Sequence, residues 1–451
     1  MTNWRPQVSR GTRPLYEALA DAVAEDVRAG RLLPGDRLPT QRELAVVLGV
    51  TVPTVTRGYS LAARRGWVSG QVGRGTFVTS PIAADSASGL LDLSVNTLPP
   101  HAHLGELAAR LELAADPAQR AALLDYPPHE GRADQRAAGA RWIARRGLTV
   151  APDQVIVCSG AQHALVIALA SQASPGDTVL VEELTYTGLL EAIRLLGLVP
   201  AAVAMDHDGL RPDALDRAAG RTGARLVAMQ PVLHNPTGVS MPPARRQAIA
   251  EVATRRGLHV IEDDIYGFLA PDTPPLVAEL PAWTYVTSLS KSVVAGVRVG
   301  FAAVPRDAVS KAARAAFATT VAASPITTAL ALSLIDDGTA DRVVEWKRQQ
   351  MRQRQLLTRR ILPGLPPTMH PASPHVWWPL PRPWRAAEFV AAARARGIVL
   401  GASEGFLGQP GATPRAVRLC LGPPPTEDRL RAALETLHAL AASPPAGQPR
   451  V

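Results

Sequence analysis

The stretch Thr287-Ser288-Leu289-Ser290-Lys291-Ser292, with Arg298 seven positions beyond the lysine, gathers groups able to hold a phosphorylated carbonyl compound. Lysine is scarce: of 48 Lys and Arg residues, only Lys291, Lys311 and Lys347 are lysines. A Schiff base needs an amine that can lose its proton, which arginine cannot supply. Lys291 therefore reads as a nucleophilic amine, with Ser288, Ser290 and Arg298 as hydroxyls and a guanidinium for a phosphate.

Other polar residues stand just past short apolar runs. Ser159-Gly160-Ala161-Gln162 follows Val155-Ile156-Val157-Cys158, so free amides of Ala161 and Gln162 at a helix start could hold a phosphate. His163 is expected on the helix surface, with no role. Tyr186 offers a plate for an aromatic ring. Asn235, in His234-Asn235-Pro236-Thr237-Gly238, could bond a phenolic oxygen, and Pro236 could be cis. Glu262-Asp263-Asp264-Ile265-Tyr266 places two adjacent aspartates at a strand end. One can face a ring nitrogen and keep it protonated; the other is expected to be a surface acid.

The elements that position these groups are legible as alternation. Apolar strand-like runs at 155–158, 178–181, 226–229, 259–261 and 285–287 alternate with amphipathic stretches, which predicts an α/β fold with a mostly parallel sheet. Ligand groups then belong at the carboxyl ends of the strands.

The first eighty residues differ in kind. Residues 13–30 carry one apolar stripe, Thr40-Gln41-Arg42-Glu43 is a capping box, and Thr51 caps a third helix in which Pro53 sits within the first turn. Trp67-Val68-Ser69 and Thr76-Phe77-Val78 flank a glycine-rich tip, Gly70 to Gly75, as in a hairpin. Eleven arginines against six acids lie in this stretch, more than half of the net charge of +9. Three helices and a basic wing make a winged helix-turn-helix, in which the third helix enters the major groove.

Length allows two or three domains. The expected division is a head at 1–80, a linker at 81–90 and a body at 91–451. Two distant cysteines, Cys158 and Cys420, suit a reducing compartment. Trp4, Arg5 and Arg10 stand where a signal peptide would be apolar, so a cytoplasmic location is expected. Residues 315–335 carry no charge but include Pro325, and are expected to form a helix, loop and helix rather than a membrane span.

Residues 34–45 together with Gly73-Arg74-Gly75-Thr76-Phe77-Val78 closely resemble the GntR family of bacterial regulators. The resemblance implies that Arg42, Thr51, Thr54, Arg57, Gly73 and Arg74 face double-stranded promoter DNA. Val52-Pro53 depart from the polar or basic residue common there, so this end of the third helix is expected to discriminate poorly between bases.

From residue 91 onward, the ordered set Gly-Ala-Gln, Tyr, Asn-Pro-x-Gly, Asp-x-x-Tyr and Ser-x-Ser-Lys with Arg at plus seven resembles the fold-type I aminotransferases dependent on pyridoxal 5'-phosphate. The resemblance implies Lys291 as the Schiff-base lysine, Asp263 at the pyridine nitrogen, and Asn235 and Tyr266 at the phenolic oxygen. It further implies Tyr186 stacked on the ring, and Ala161, Gln162, Ser288, Ser290 and Arg298 at the phosphate. Tyr126 is similar to the tyrosine that reaches the partner subunit's phosphate, which implies a homodimer, and Arg418 to the arginine that clamps a substrate carboxylate. Leu184 and the segment 373–377 depart from the family pattern, the former lacking a proline and the latter a glycine pair. The two resemblances together are those of the MocR subfamily: a regulator answering to a small amine or amino acid, or to the cofactor itself. The alternative is a working aminotransferase.

Overall fold

The computed structural model describes residues 4–6, 14–28, 31–32, 36–64, 67–71, 75–78, 90–99, 123–366 and 369–443. It divides into two compact units at Leu91, the second holding the described residues from Asp92 onward apart from 425–429. Of the expected linker, only Leu90 lies among the described residues.

In the N-terminal unit, helices α1 (Leu15–Arg28), α2 (Gln41–Leu48) and α3 (Val52–Arg64) precede an antiparallel hairpin of β1 (Val68–Gln71) and β2 (Gly75–Val78). The capping box forms in both directions: Glu43 N donates to Thr40 Oγ1 (3.3 Å) and Thr40 N to Glu43 Oε2 (2.8 Å). Gly49 ends α2 in the left-handed region at φ 63°, which lets the chain turn at once into α3. The two helices are bent by 114° on one another, within the helix-turn-helix range. A Cβ on Gly58 would lie 2.7 Å from Leu19 Cδ2, so a glycine is what lets α3 approach α1. Leu19, Val23, Leu38, Leu44, Val55 and Tyr59 fill the core beneath the hairpin residues Val68 and Val78.

The larger unit is an α/β body. Its strands are β3 (Val155–Cys158), β4 (Thr178–Glu182), β5 (Val199–Val203), β6 (Leu226–Met229), β7 (His259–Asp263), β8 (Trp283–Ser288) and β9 (Gly300–Ala303). They form one sheet in the order β3-β9-β8-β7-β6-β4-β5. Only β9 runs against its neighbours, pairing antiparallel with both β8 and β3. Helices α4 (Ala133–Ala144), α5 (Ala161–Gln172), α6 (Thr187–Leu195), α7 (Pro212–Thr222) and α8 (Pro243–Arg256) alternate with the strands, as their apolar spacing predicts. The uncharged run at 315–335 is a helix, break and helix, α10 (Val309–Thr320) and α11 (Pro325–Asp336), after the short α9 (Leu289–Ser292). No single helix among the described residues is long and apolar enough to cross a membrane. The long α12 (Thr339–Ile361) leads to a smaller antiparallel sheet of β10 (His375–Pro379), β11 (Gly401–Ala402) and β12 (Ala416–Cys420), ordered β10-β12-β11.

Candidate functional site

The site grows from the carboxyl ends of β3, β7 and β8. Along β7 side chains alternate faces, so Asp263 looks one way while Glu262 and Asp264 look the other. Asp264 is fully paired: Arg146 Nε lies 2.8 Å from its Oδ2, with both side chains enclosed, and the Tyr285 hydroxyl donates to the same oxygen at 2.7 Å. The expectation that one aspartate is a surface acid is therefore wrong, since both are buried. The side-chain period of a strand puts one on each face of a sheet that is covered on both sides. Asp263 is only half paired. Its Oδ2 accepts from Gln230 Nε2 (2.6 Å), and its Oδ1 is enclosed with no partner. Burial pushes its pKa up to about 7.

Lys291 stands in α9, directly after β8, and its Nζ donates to the carbonyl of Asn96. Burial brings its pKa down to about 8; the nearby guanidiniums of Arg418 and Arg298 act in the same direction, while Cys420 and Asp263 oppose it. Beside it, Ser288 Oγ accepts from Ser290 N (3.2 Å) and Arg298 Nη1 donates to Ser290 Oγ (3.3 Å). Arg298 itself is left-handed, at φ 53°, a conformation uncommon for a residue with a Cβ. Gly160 opens α5 at φ +87°, and a Cβ there would fall 2.8 Å from Arg298 Nη2. Gly300, paired with both Ser288 and Cys158, completes the approach: a Cβ on it would sit 3.0 Å from Ala161 N. Ala161, Ser288, Ser290 and Arg298 thus converge on the first turn of α5. Gln162 follows Ala161 in that turn; its Nε2 is taken by Gly188 O (2.7 Å) and its Oε1 has no partner. Tyr186 packs over Gly188, where a Cβ would meet its ring at 2.5 Å. Burial raises its pKa.

A third group closes the site. Asn235, ahead of a cis Pro236, accepts from Arg418 Nη1 at 2.8 Å through Oδ1 and donates its backbone N–H to Gln230 Oε1 at 3.0 Å. Arg418 also donates to Ser94 O, lies 4.7 Å over the Phe406 ring, and keeps an enclosed Nε without a partner. The Tyr266 hydroxyl accepts from Asn96 Nδ2 (2.8 Å), and the same amide lies 2.9 Å from His375 Nδ1. His375 Nε2 is 2.9 Å from His234 O, so Nδ1 is the acceptor and the ring is neutral; burial takes its pKa down to about 3.

Tyr126 is not brought to this group: it is 83% exposed. His163 is not a surface residue either. It is buried because α5 packs on α10, and its Nδ1 accepts from Ser159 N (3.0 Å) while Nε2 meets Thr319 Oγ1 (2.6 Å). Sequence reasoning missed Asn96, Gln230 and His375. Asn96 and His375 lie far from the other residues in sequence, and Gln230 sits at an unremarked strand end. Its one available signal was that position, immediately past β6.

In the head, Arg42, Thr51 and Arg57 are exposed and Thr54 is half-buried. Thr51 precedes α3 but spends its hydroxyl on that of Thr54 (2.9 Å) rather than on a helix amide. Gly73 and Arg74 lie outside the described residues.

The family profile for aminotransferase class I and II matches residues 88–437, and that for bacterial regulatory proteins of the gntR family matches residues 15–78. The chain is 29% identical to the HTH-type transcriptional regulator YdeF of Bacillus subtilis (strain 168), over 97% of this chain and 96% of that one. It is also 29% identical, over 63% of this chain and 66% of the relative, to PtsJ of Salmonella typhimurium, a vitamin B6 salvage pathway transcriptional repressor. The structure of LysN, an alpha-aminoadipate aminotransferase of Thermus thermophilus complexed with N-(5'-phosphopyridoxyl)-L-leucine, superposes with a TM-score of 0.67 at 25% identity. That match covers 79% of this chain and 92% of that one. The chain belongs to the class I and II aminotransferase family and carries a GntR helix-turn-helix at its N-terminus, the MocR architecture of a transcriptional regulator.

Proposed function

We infer that this regulator depends on pyridoxal 5'-phosphate, senses an amine or amino acid in its body, and binds promoter DNA through its head as a cytoplasmic homodimer. The observation that carries the cofactor is Asp263, an enclosed carboxylate with one oxygen lacking any donor. Such an oxygen is costly to bury alone, and a protonated ring nitrogen is the group that satisfies it. The other residues fit the same ligand. Tyr186 would cover the ring, Asn235 and Tyr266 would meet the phenolic oxygen, and Ala161, Gln162, Ser288, Ser290 and Arg298 would hold the phosphate. The exposed Tyr126 would complete the partner subunit's site.

When bound, the cofactor supplies an aldehyde that condenses reversibly with primary amines. The chain's own residues prepare for that. With a pKa near 8, Lys291 keeps an unprotonated share at neutral pH. The Tyr266 hydroxyl already accepts from Asn96, so its own proton is free to point into the site. Arg418 retains an unpartnered Nε for an effector carboxylate.

Three lysines make the test clean. Borohydride reduction of the PLP-loaded protein should fix a phosphopyridoxyl group on the peptide containing Lys291. Lys291→Ala should abolish it, and Lys311→Ala should not. Label that persists in the Lys291 variant would refute the assignment. The rival, a working aminotransferase, draws on the completeness of the site. It requires many turnovers with an amino donor and a 2-oxo acid, together with indifference to promoter DNA.

A further inference from the structure

The first turn of α3 has an unusual surface for the leading end of a recognition helix. Its threonine hydroxyls are partly engaged by one another and by the head. The Thr51 hydroxyl meets that of Thr54 at 2.9 Å, and Thr56 Oγ1 lies 2.8 Å from Gln41 Oε1 and 2.9 Å from Val52 O. The two side chains between Thr51 and Thr54 are apolar: Val52 is 38% exposed and Pro53 is exposed beside it. Proline has no N–H to offer a phosphate or a base acceptor. Exposed arginines stand on the same two helices, Arg42 on α2 and Arg57 roughly one turn further along α3, and among the described residues neither forms an ion pair. An apolar helix tip on a pair of helices that also carry exposed cations complements a major-groove floor bordered by phosphates.

Only one base feature in the major groove is apolar, the 5-methyl group of thymine. We propose that Val52 and Pro53 read thymine, through contact with that methyl, at a fixed position in each operator half-site. This end of α3 then discriminates between bases after all, by shape and apolar contact at two side chains that have no hydrogen bond to offer. The proposal rests on the reading of the head as a DNA-binding module.

The test uses the full-length protein. Duplexes are first enriched from a random pool, and each thymine of the enriched half-site is then replaced singly by deoxyuridine, which differs only by the methyl. Losing one buried methyl should weaken binding about fourfold at one or two positions per half-site. Val52→Ser, a change at an exposed residue, should bind thymine and uracil duplexes alike at those positions while retaining its fold by circular dichroism. Binding that tolerates uracil everywhere, or a Val52→Ser protein with undiminished preference for thymine, would overturn the proposal. Enrichment of no duplex at all would overturn it differently, by removing the DNA-binding reading beneath it.

Discussion

The two faces of β7 hold the same kinds of residue and treat them oppositely. On one face Asp264 has Arg146 and Tyr285, both within hydrogen-bonding distance of one oxygen. On the other, one position earlier, Asp263 has Gln230 on one oxygen and nothing on the second. Both carboxylates are buried, so burial alone does not separate structure from function. Satisfaction does. A closed pair is finished by the fold and serves stability, whereas an enclosed group with an open valence implies a missing partner. The adjacent Glu262, on the Asp264 face, shares the open valence: its Oε2 accepts from Val277 N (2.9 Å), its Oε1 has no partner, and burial raises its pKa. What marks Asp263 is therefore that valence together with its place beside the Lys291 amine.

The largest effect should come from breaking the closed face. Arg146→Met removes the cation from an enclosed carboxylate and should cost about 3–5 kcal/mol of stability, read as a fall in denaturant midpoint at unchanged m-value. Next in size is a pH effect from the open face. Asp263 has a folded pKa of about 7, well above the ordinary carboxylate value. Its contribution is therefore fully present below about pH 4 and is lost as pH rises through 7, on the order of 4 kcal/mol. In the cofactor-free protein, Asp263→Asn should remove that component, so the stability difference between variant and wild type should grow from pH 4 to pH 7 in the variant's favour. A flat difference would mean that Asp263 is solvated.

Much of this contrast was legible in advance. Spacing placed Lys291, Asn235 and the Asp263–Asp264 pair just past apolar runs that read as strands, and the family resemblance then singled out Asp263 and Arg298. What spacing could not reveal was which of two neighbouring aspartates lacks a partner. That depends on Arg146, over a hundred residues upstream, and on Gln230, whose amide reaches across from β6. Asn96 was invisible for the same reason: it acts through a carbonyl and an amide delivered by a loop with no periodicity of its own. The head was easier, since caps, turns and a hairpin are local and Thr40, Glu43 and Gly49 carry their reasons within a few residues.

A smaller effect should fall on ligand binding. Asp263→Asn replaces a charged acceptor by a neutral one, and charge-assisted bonds contribute about 1.5–3 kcal/mol. Affinity for pyridoxal 5'-phosphate, titrated by visible absorbance, should drop by roughly tenfold to a hundredfold. An unchanged titration would reassign the open valence to water.

The smallest effect separates the faces most sharply. Tyr285→Phe removes one of two donors to Asp264 Oδ2 and leaves Arg146 in place. The phenyl ring still fills its fully buried position in the sheet, so no cavity opens and no charge is stranded. The loss is then that of a single hydrogen bond, about 1 kcal/mol of stability. Cofactor affinity and absorbance should stay at wild-type values, because Tyr285 and Asp263 face opposite sides of the sheet. If Tyr285→Phe instead weakened cofactor binding as much as Asp263→Asn does, the two faces would be acting as one network. Pairing would then no longer separate Asp264 from Asp263.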